Sequence, residues 1–567
     1  MRLIHFTLKE YFSAHPDILR SPHSAMAEMC LTYLNSQQVK ALSGDYFVGY
    51  FPDSDSDSFT ETHAVTYDKP ILKYCSLYWG AHAKRELSHH SKSLAPELLQ
   101  KYDGHISAQL LLREDQPLER LEDYDTLSPF SGLHCVSFLG IVEIVVALIE
   151  KGCCDPNGED FRGYTPLAWA AWQGQEEVVK ILLGCGGVNP DRPDNRGRTP
   201  LSHAAFRGQE EVVTILLGWE EVDSDKPDND GRTPLALAAE YGGEGVVKIL
   251  LGRQEVDPDK PDNRGRTPLS RAAEKGGEGV VKILLGREEV IPDRPGDDGQ
   301  TPLSHAAWWG RKGMVNILLG SEEVNPDKPD KYGQTPLLHA AHRGHEEVVK
   351  ILLGRGEVNP DKPDNDGLTP LSHAAWYGRE KVVKILLGRE EVSPDKRANG
   401  GRTPLSYAAS DAEEAVVKIL LEREEVNPDK PDEDGRTPLS YAVQRRRERV
   451  VKILLEREEV YPDKPDDDGQ TPLSHAAKKG YDKLVGILLG REEVKPNKPD
   501  NHGRTPLSHA VEEGNEGVVK ILLGREEVNP NQPDNDGKTP LMWVPSWCHQ
   551  EMEALIKSPK DVTYSAI

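Results

Sequence analysis

Several stretches carry residue types that do chemistry elsewhere, and each stops short of a complete site. Gly537-Lys538-Thr539 has the ending of a phosphate-binding loop, in which backbone amides cradle phosphates and the lysine reaches their oxygens. That loop needs a glycine five residues before its last one, and Gln532 stands there. His345-Glu346 opens like a zinc-hydrolase helix, but Val349 takes the place of the second imidazole. Asp228, Asp230 and Gly231 echo a calcium loop without its bidentate Glu. His203, His305, His339, His373, His475 and His509 share one repeat position. Helices packed about 8–10 Å apart could bring such imidazoles near one another, but no third or fourth ligand accompanies them. They read as packing or solvated side chains. These patterns predict no enzyme, no metal, no cofactor and no small-molecule substrate.

The elements that would position these residues are repeated. Thr-Pro-Leu recurs with Thr at 165, 199, 233, 267, 301, 335, 369, 403, 437, 471, 505 and 539, always 34 residues apart. A fixed period of that size signals a solenoid. Residues 335–368 show the unit. Thr335 suits an N-cap and Pro336 the first helical position. Leu337, Ala340 and Ala341 make one apolar stripe of mostly small residues. Gly344 suits a left-handed C-cap. A second helix is predicted over 346–353, with acids at its start and Val348, Val349, Ile351, Leu352 and Leu353 for the core. Gly354 closes it, and Pro-Asp-Asn-Asp-Gly supplies turn chemistry for a hairpin. Neither helix can bury its stripe alone, so stacked neighbours must supply the missing face.

A 34-residue period also fits the tetratricopeptide repeat, but its Trp, Leu-Gly, Tyr and Phe positions are not met. The unit instead resembles the ankyrin repeat, whose T-P-L-H-x-A-A-x-x-G core it follows closely. The resemblance implies an all-α ankyrin solenoid of thirteen units, the first degenerate at Ser131-Gly-Leu133 and the last at Leu541–Pro545. Two departures stand out. The residue after Leu is mostly Ser (Ser202, Ser304, Ser372, Ser474, Ser508), which puts the family's Thr–His hydrogen bond in question, and the period exceeds the usual one by a residue in the hairpin.

The array is expected over 128–557, with a tail at 558–567. Before it, 46–127 reads as an acidic loop (Asp53–Ser58) and a helical adaptor (71–77, 98–102, 108–112). Residues 3–12, Leu-Ile-His-Phe-Thr-Leu-Lys-Glu-Tyr-Phe, resemble a segment of NACHT-type signalling NTPases that follows the nucleotide-binding core, with a following helix over 25–34. On that resemblance, 1–45 is the remnant of a NACHT module whose ATP-binding part lies outside this chain, and Met1 need not be the true start. The formal net charge of −25 opposes binding to phosphate backbones and anionic lipid, so neither nucleic acid nor membrane is an expected partner. Seven irregularly spaced cysteines and no signal peptide point to a reducing, cytoplasmic setting. The basic run Gln444–Arg449 reads as a solvated helix turn, with a nuclear signal as the alternative.

Otherwise near-identical units differ in the two residues before the inter-helix glycine: Trp172, Phe206-Arg207, Tyr241, Trp308-Trp309, His342-Arg343 and Trp376-Tyr377. Arg198, Arg232 and Arg266 precede Thr-Pro-Leu beside them. The resemblance implies that these positions face a concave groove. Trp, Tyr and Arg dominate interface hot spots, so a protein partner is expected here. The units at Thr403 and Thr437 lose both cap glycines, to Ala412 and Arg446 and to Glu422 and Glu456, and are expected to be the softest of the array.

Overall fold

The computed structural model describes residues 22–40, 70–100, 102, 130–152, 154–545 and 549–557. Among them the chain is helical, with no strand. It divides into two compact units, Met1–Ile291 and Pro292–Ile567.

The first unit opens with Pro22–Leu34 packed against Pro70–Arg85, and His89–Leu99 lies on the former. Leu31 and Leu34, one turn apart, bury completely, as do Trp79, Leu98 and Leu99 from the other two helices. The helices expected over 25–34 and 71–77 fall inside these elements. The one expected over 98–102 instead ends at Leu99. Residues 3–12, 53–58, 108–112 and 558–567 lie outside the described residues. Repeats follow from Gly132–Leu139 and Val142–Glu150 to Pro268–Lys275 and Glu278–Leu285. The second unit holds those from Pro302–Trp308 onward.

Each repeat forms for reasons visible in 335–353. Thr335 is extended (φ −85°, ψ 163°), and its Oγ1 accepts the Leu338 amide at 3.2 Å. Pro336 costs no hydrogen bond at the first helical position. Gly344 takes φ 81°, so its amide and that of His345 both reach the Ala340 carbonyl and the chain reverses. The second helix, Glu346–Leu353, places Glu346 and Glu347 at its positive end. Val348, Val349, Leu352 and Leu353 bury, and Ile351, expected in the core, is half-buried. Leu337, Ala340 and Ala341 are fully covered; the buried leucine contributes about 1.5–3 kcal/mol of hydrophobic stabilisation.

The serine after Leu replaces the family's histidine by a shorter device. Its hydroxyl meets the cap hydroxyl directly, as in Thr301–Ser304 at 3.2 Å and Thr369–Ser372 at 3.1 Å, while its amide donates to the capping threonine oxygen. The histidine version survives in the first repeat. His134 Nδ1 lies 2.7 Å from Ser131 Oγ and accepts the Ser131 amide, and Nε2 sits 3.0 Å from the Gly158 and Tyr164 carbonyls. In the last repeat the first helix shrinks to the single turn Pro540–Trp543 before His549–Lys557. No helix among the described residues is long and apolar enough to cross a membrane, and Cys30, Cys75, Cys135 and Cys185 form no disulfide.

Only half of the expected glycine penalty at 403–456 is present. Ala412 (φ 69°) and Arg446 (φ 58°) are the non-glycine residues with positive φ among those described. Glu422 and Glu456, however, are right-handed (φ −74° and −69°), as is Gly354 at the same position. The second glycine is therefore dispensable, and only the first carries strain of about 1 kcal/mol. Ala412→Gly and Arg446→Gly are each expected to stabilise by about 0.5–1 kcal/mol in urea denaturation, whereas Glu422→Gly gives no gain. Hydrogen exchange in 403–456 no faster than in 301–388 would contradict the strain.

Candidate partner-binding surface

The first helices are aimed by a carboxylate nine residues before the histidine position. Asp364 Oδ1 accepts the amides of Asp366 and Leu368, closing the turn, and its Oδ2 meets His373 Nε2 at 2.9 Å. The same arrangement joins Asp194 to His203 (3.1 Å), Asp330 to His339 (3.2 Å), Asp466 to His475 (2.7 Å) and Asp500 to His509 (2.9 Å). In four other repeats the donor changes and the carboxylate stays: Trp169 on Asp160, Arg271 on Asp262, Tyr441 on Asp432 and Trp543 on Asp534. The histidines are thus largely buried and paired rather than solvated. Among the described residues no group of three or more His, Cys, Asp or Glu could hold a metal. The signal was in the sequence as an Asp spaced nine residues from a varying donor, and reading the histidines alone missed it.

These environments move pKa values in opposite ways. Burial tends to raise the Asp194, Asp330 and Asp466 carboxyls, but the facing imidazole and the turn amides outweigh it, and all three fall below the ordinary range. Burial pushes His203 down and takes His509 to about 4. His342 also falls to about 4, through burial first and then the neighbouring imidazoles of His373 and His339.

Arg198, Arg232 and Arg266 belong to the same device. Each Nε donates to the carboxylate four residues earlier, Asp194 at 3.0 Å, Asp228 at 2.8 Å and Asp262 at 3.2 Å. Arg198 also reaches the Tyr164 hydroxyl at 2.7 Å.

The variable positions fall on the last turns of the first helices and form two ring clusters, one within each unit. In the first unit Trp172 stacks on Phe206 (5.5 Å between centroids), Phe206 meets Tyr241 (4.6 Å), and Arg207 lies over Trp172 (4.8 Å). Trp172, expected on the open face, is buried at 8% exposure beneath Arg207, because the next repeat's rings close over it. Tyr241 is exposed and accompanied by a local irregularity: the helix widens into a π-type turn over Ala238–Gly242, and the left-handed step falls at Gly243 (φ 83°). That turn tucks Glu240 against Arg271 at 2.6 Å and Lys275 at 3.1 Å. In the second unit Trp308 contacts His342 (5.4 Å), His342 contacts Tyr377 (4.2 Å), and Trp376 bridges Tyr377 (5.5 Å) and Tyr407 (5.2 Å). Arg343 covers Trp308, and Arg402 lies between Tyr407 (4.1 Å) and Tyr441 (4.2 Å). Trp309 and Tyr377 stand out at 43% and 40% exposure, while Trp308 and Trp376 are half-buried.

The family comparison agrees with this architecture. A model of ankyrin repeats (three copies) matches six consecutive stretches, 101–194, 186–262, 244–330, 312–398, 390–466 and 458–534. The chain belongs to the ankyrin repeat family. No curated protein matches it.

Because folded His509 stays neutral to about pH 4, the unfolded chain alone takes up its proton between about pH 6.5 and 4. The stability this residue contributes is complete above about pH 6.5 and is lost as pH falls toward 4. NMR of 13C-labelled imidazole should show no His509 titration between about pH 7 and 5. A midpoint near the ordinary histidine value would contradict the buried, neutral assignment.

Proposed function

We propose that the chain is a protein–protein interaction scaffold that holds its partner against the last turns of the first helices. The carrying observation is that units otherwise almost identical diverge at these positions into contacting rings with exposed members. Tyr241 offers an open aromatic surface in the first unit, and Trp309 and Tyr377 offer one in the second. Trp308, Trp376, Phe206 and His342 back them, and Arg207 and Arg343 supply planar cations. Large rigid side chains of this type lose little entropy on binding and bury much area, which is why they concentrate binding energy. Trp172, Arg198, Arg232 and Arg266 support this surface from below. No bond is made or broken in this role, and the family's repeats serve the same kind of recognition.

A second reading rests on the resemblance of residues 3–12 to the NACHT segment. There the same surface would be the sensing arm of a signalling NTPase whose nucleotide-binding part is not in this sequence. Both readings place recognition on the same helices.

Trp309→Ala with Tyr377→Ala, compared with the native chain in affinity capture and mass spectrometry, tests the reading. Partner recovery should fall at least on the order of tenfold while circular dichroism and the unfolding midpoint stay unchanged. Unchanged recovery by the double variant would leave a spacer with no recognition role at this face.

A further inference from the structure

Resting on the proposed recognition role, we infer that the groove of the second unit takes an extended peptide segment with aromatic residues followed by acidic ones. The ring cluster from Trp308 to Tyr441 is succeeded, at the variable helix positions of the next repeats, by Arg445, Lys478 and Lys479, with Arg446 next to Arg445 at the cap-glycine position. Arg445, Arg446 and Lys479 are exposed and Lys478 is half-exposed. None of the four makes an ion pair among the described residues, although Arg446 approaches the Tyr481 ring at 5.5 Å.

Exposed Lys384, Lys418 and Lys452 on the second helices also lack an ion pair among the described residues, but they stand one to a repeat, whereas the band gathers two cations in each of two adjacent repeats. The hairpin lysines are consumed by a ladder: Lys362 Nζ donates to the Asp327 carboxylate (2.9 Å) and carbonyl (2.8 Å), and Lys396 repeats this on Asp361. Arg355 and Arg525 donate to leucine carbonyls of the preceding repeat, and Arg449, beside the band, pairs with Glu414. In a chain of net charge −25, cations left without carboxylates and gathered on one band seek an anion from outside. Asp411 is the one acidic residue between the rings and the cations at these positions. It separates the apolar half of the surface from the basic half. A nucleic acid strand would meet the strongly acidic remainder of the chain, whereas a short peptide carries its charge only where the cations lie.

Length fits as well. From Trp308 to Lys479 the positions advance by five repeats, roughly 50 Å at about 10 Å per packed helix, which an extended segment covers with about 15 residues. A segment of that length and chemistry occurs in this sequence itself, residues 45–59, DYFVGYFPDSDSDSF. As a synthetic, fluorescein-labelled peptide it is a defined probe.

Titration of this peptide into the full chain by fluorescence anisotropy should saturate. Replacing Asp53, Asp55 and Asp57 by Asn should weaken binding on the order of tenfold, and rising salt should weaken the native peptide more than the Asn version. Arg445→Glu with Lys479→Glu in the chain should abolish the difference between the two peptides. Equal binding of both peptides to the native chain overturns the acidic requirement while leaving an aromatic-reading groove in place. No saturation by either peptide up to about 1 mM overturns the inference as a whole. Tighter binding of a single-stranded DNA oligonucleotide than of the peptide overturns it in favour of phosphate recognition. Loss of the proposed recognition role would instead appear as partner capture that ignores Trp309 and Tyr377.

Discussion

A buried carboxylate at the turn before the first helix ties most of the repeats together. One oxygen closes the turn through two backbone amides, and the other fixes a side chain one turn into the first helix. Burying a carboxylate is costly unless its lone pairs are met, and here they are met three times from groups held in fixed geometry. The turn and the first helix therefore cannot reorient independently. The angle at which the variable residues emerge is set by this contact rather than by the residues themselves.

Where one partner is missing, the others adjust. At Asp228 the position nine residues on is Leu237, and Arg232 takes the second oxygen alone with both Nε and Nη2. At Ala398 no carboxylate exists, and Tyr407 packs into an apolar cluster with Leu368, Ala398 and Trp376. That exchange of a polar contact for an apolar one extends the ring cluster of the second unit by one repeat. Glu240, by contrast, adds charge to the scheme: it joins Arg271, which already holds Asp262, so two adjacent repeats share one buried ionic network. Among the described residues such a buried network joins only this pair of repeats, in units that otherwise differ little.

Much of the fold was legible because its causes are local. Thr335, Pro336 and Gly344 act through backbone conformation and first-turn amides, so their spacing places the helix almost to the residue. The left-handed strain at Ala412 and Arg446 followed from the same logic. Glu422 did not, since a glycine in the sequence does not reveal which sign its φ takes. The candidate surface was legible as a pattern of variation but not as geometry. Trp308 and Trp309 are neighbours in one variable pair, yet the first is half-buried under Arg343 and against His342 while the second is open. Likewise, Arg198, Arg232 and Arg266 are read from sequence as partner-facing side chains, and only three-dimensional proximity shows them bound to the turn carboxylates.

The carboxylate contact is tested most directly by a double-mutant cycle on Asp364 and His373, followed by urea denaturation of the full chain. Asp364→Ala should destabilise by about 2–3 kcal/mol, the cost of losing charged hydrogen bonds at a buried site. Asp364→Ala and His373→Leu together should cost less than the sum of the two by at least about 1 kcal/mol. A loss within about 0.5 kcal/mol for Asp364→Ala, or strict additivity of the pair, would mean that the turn and the helix are held by something else.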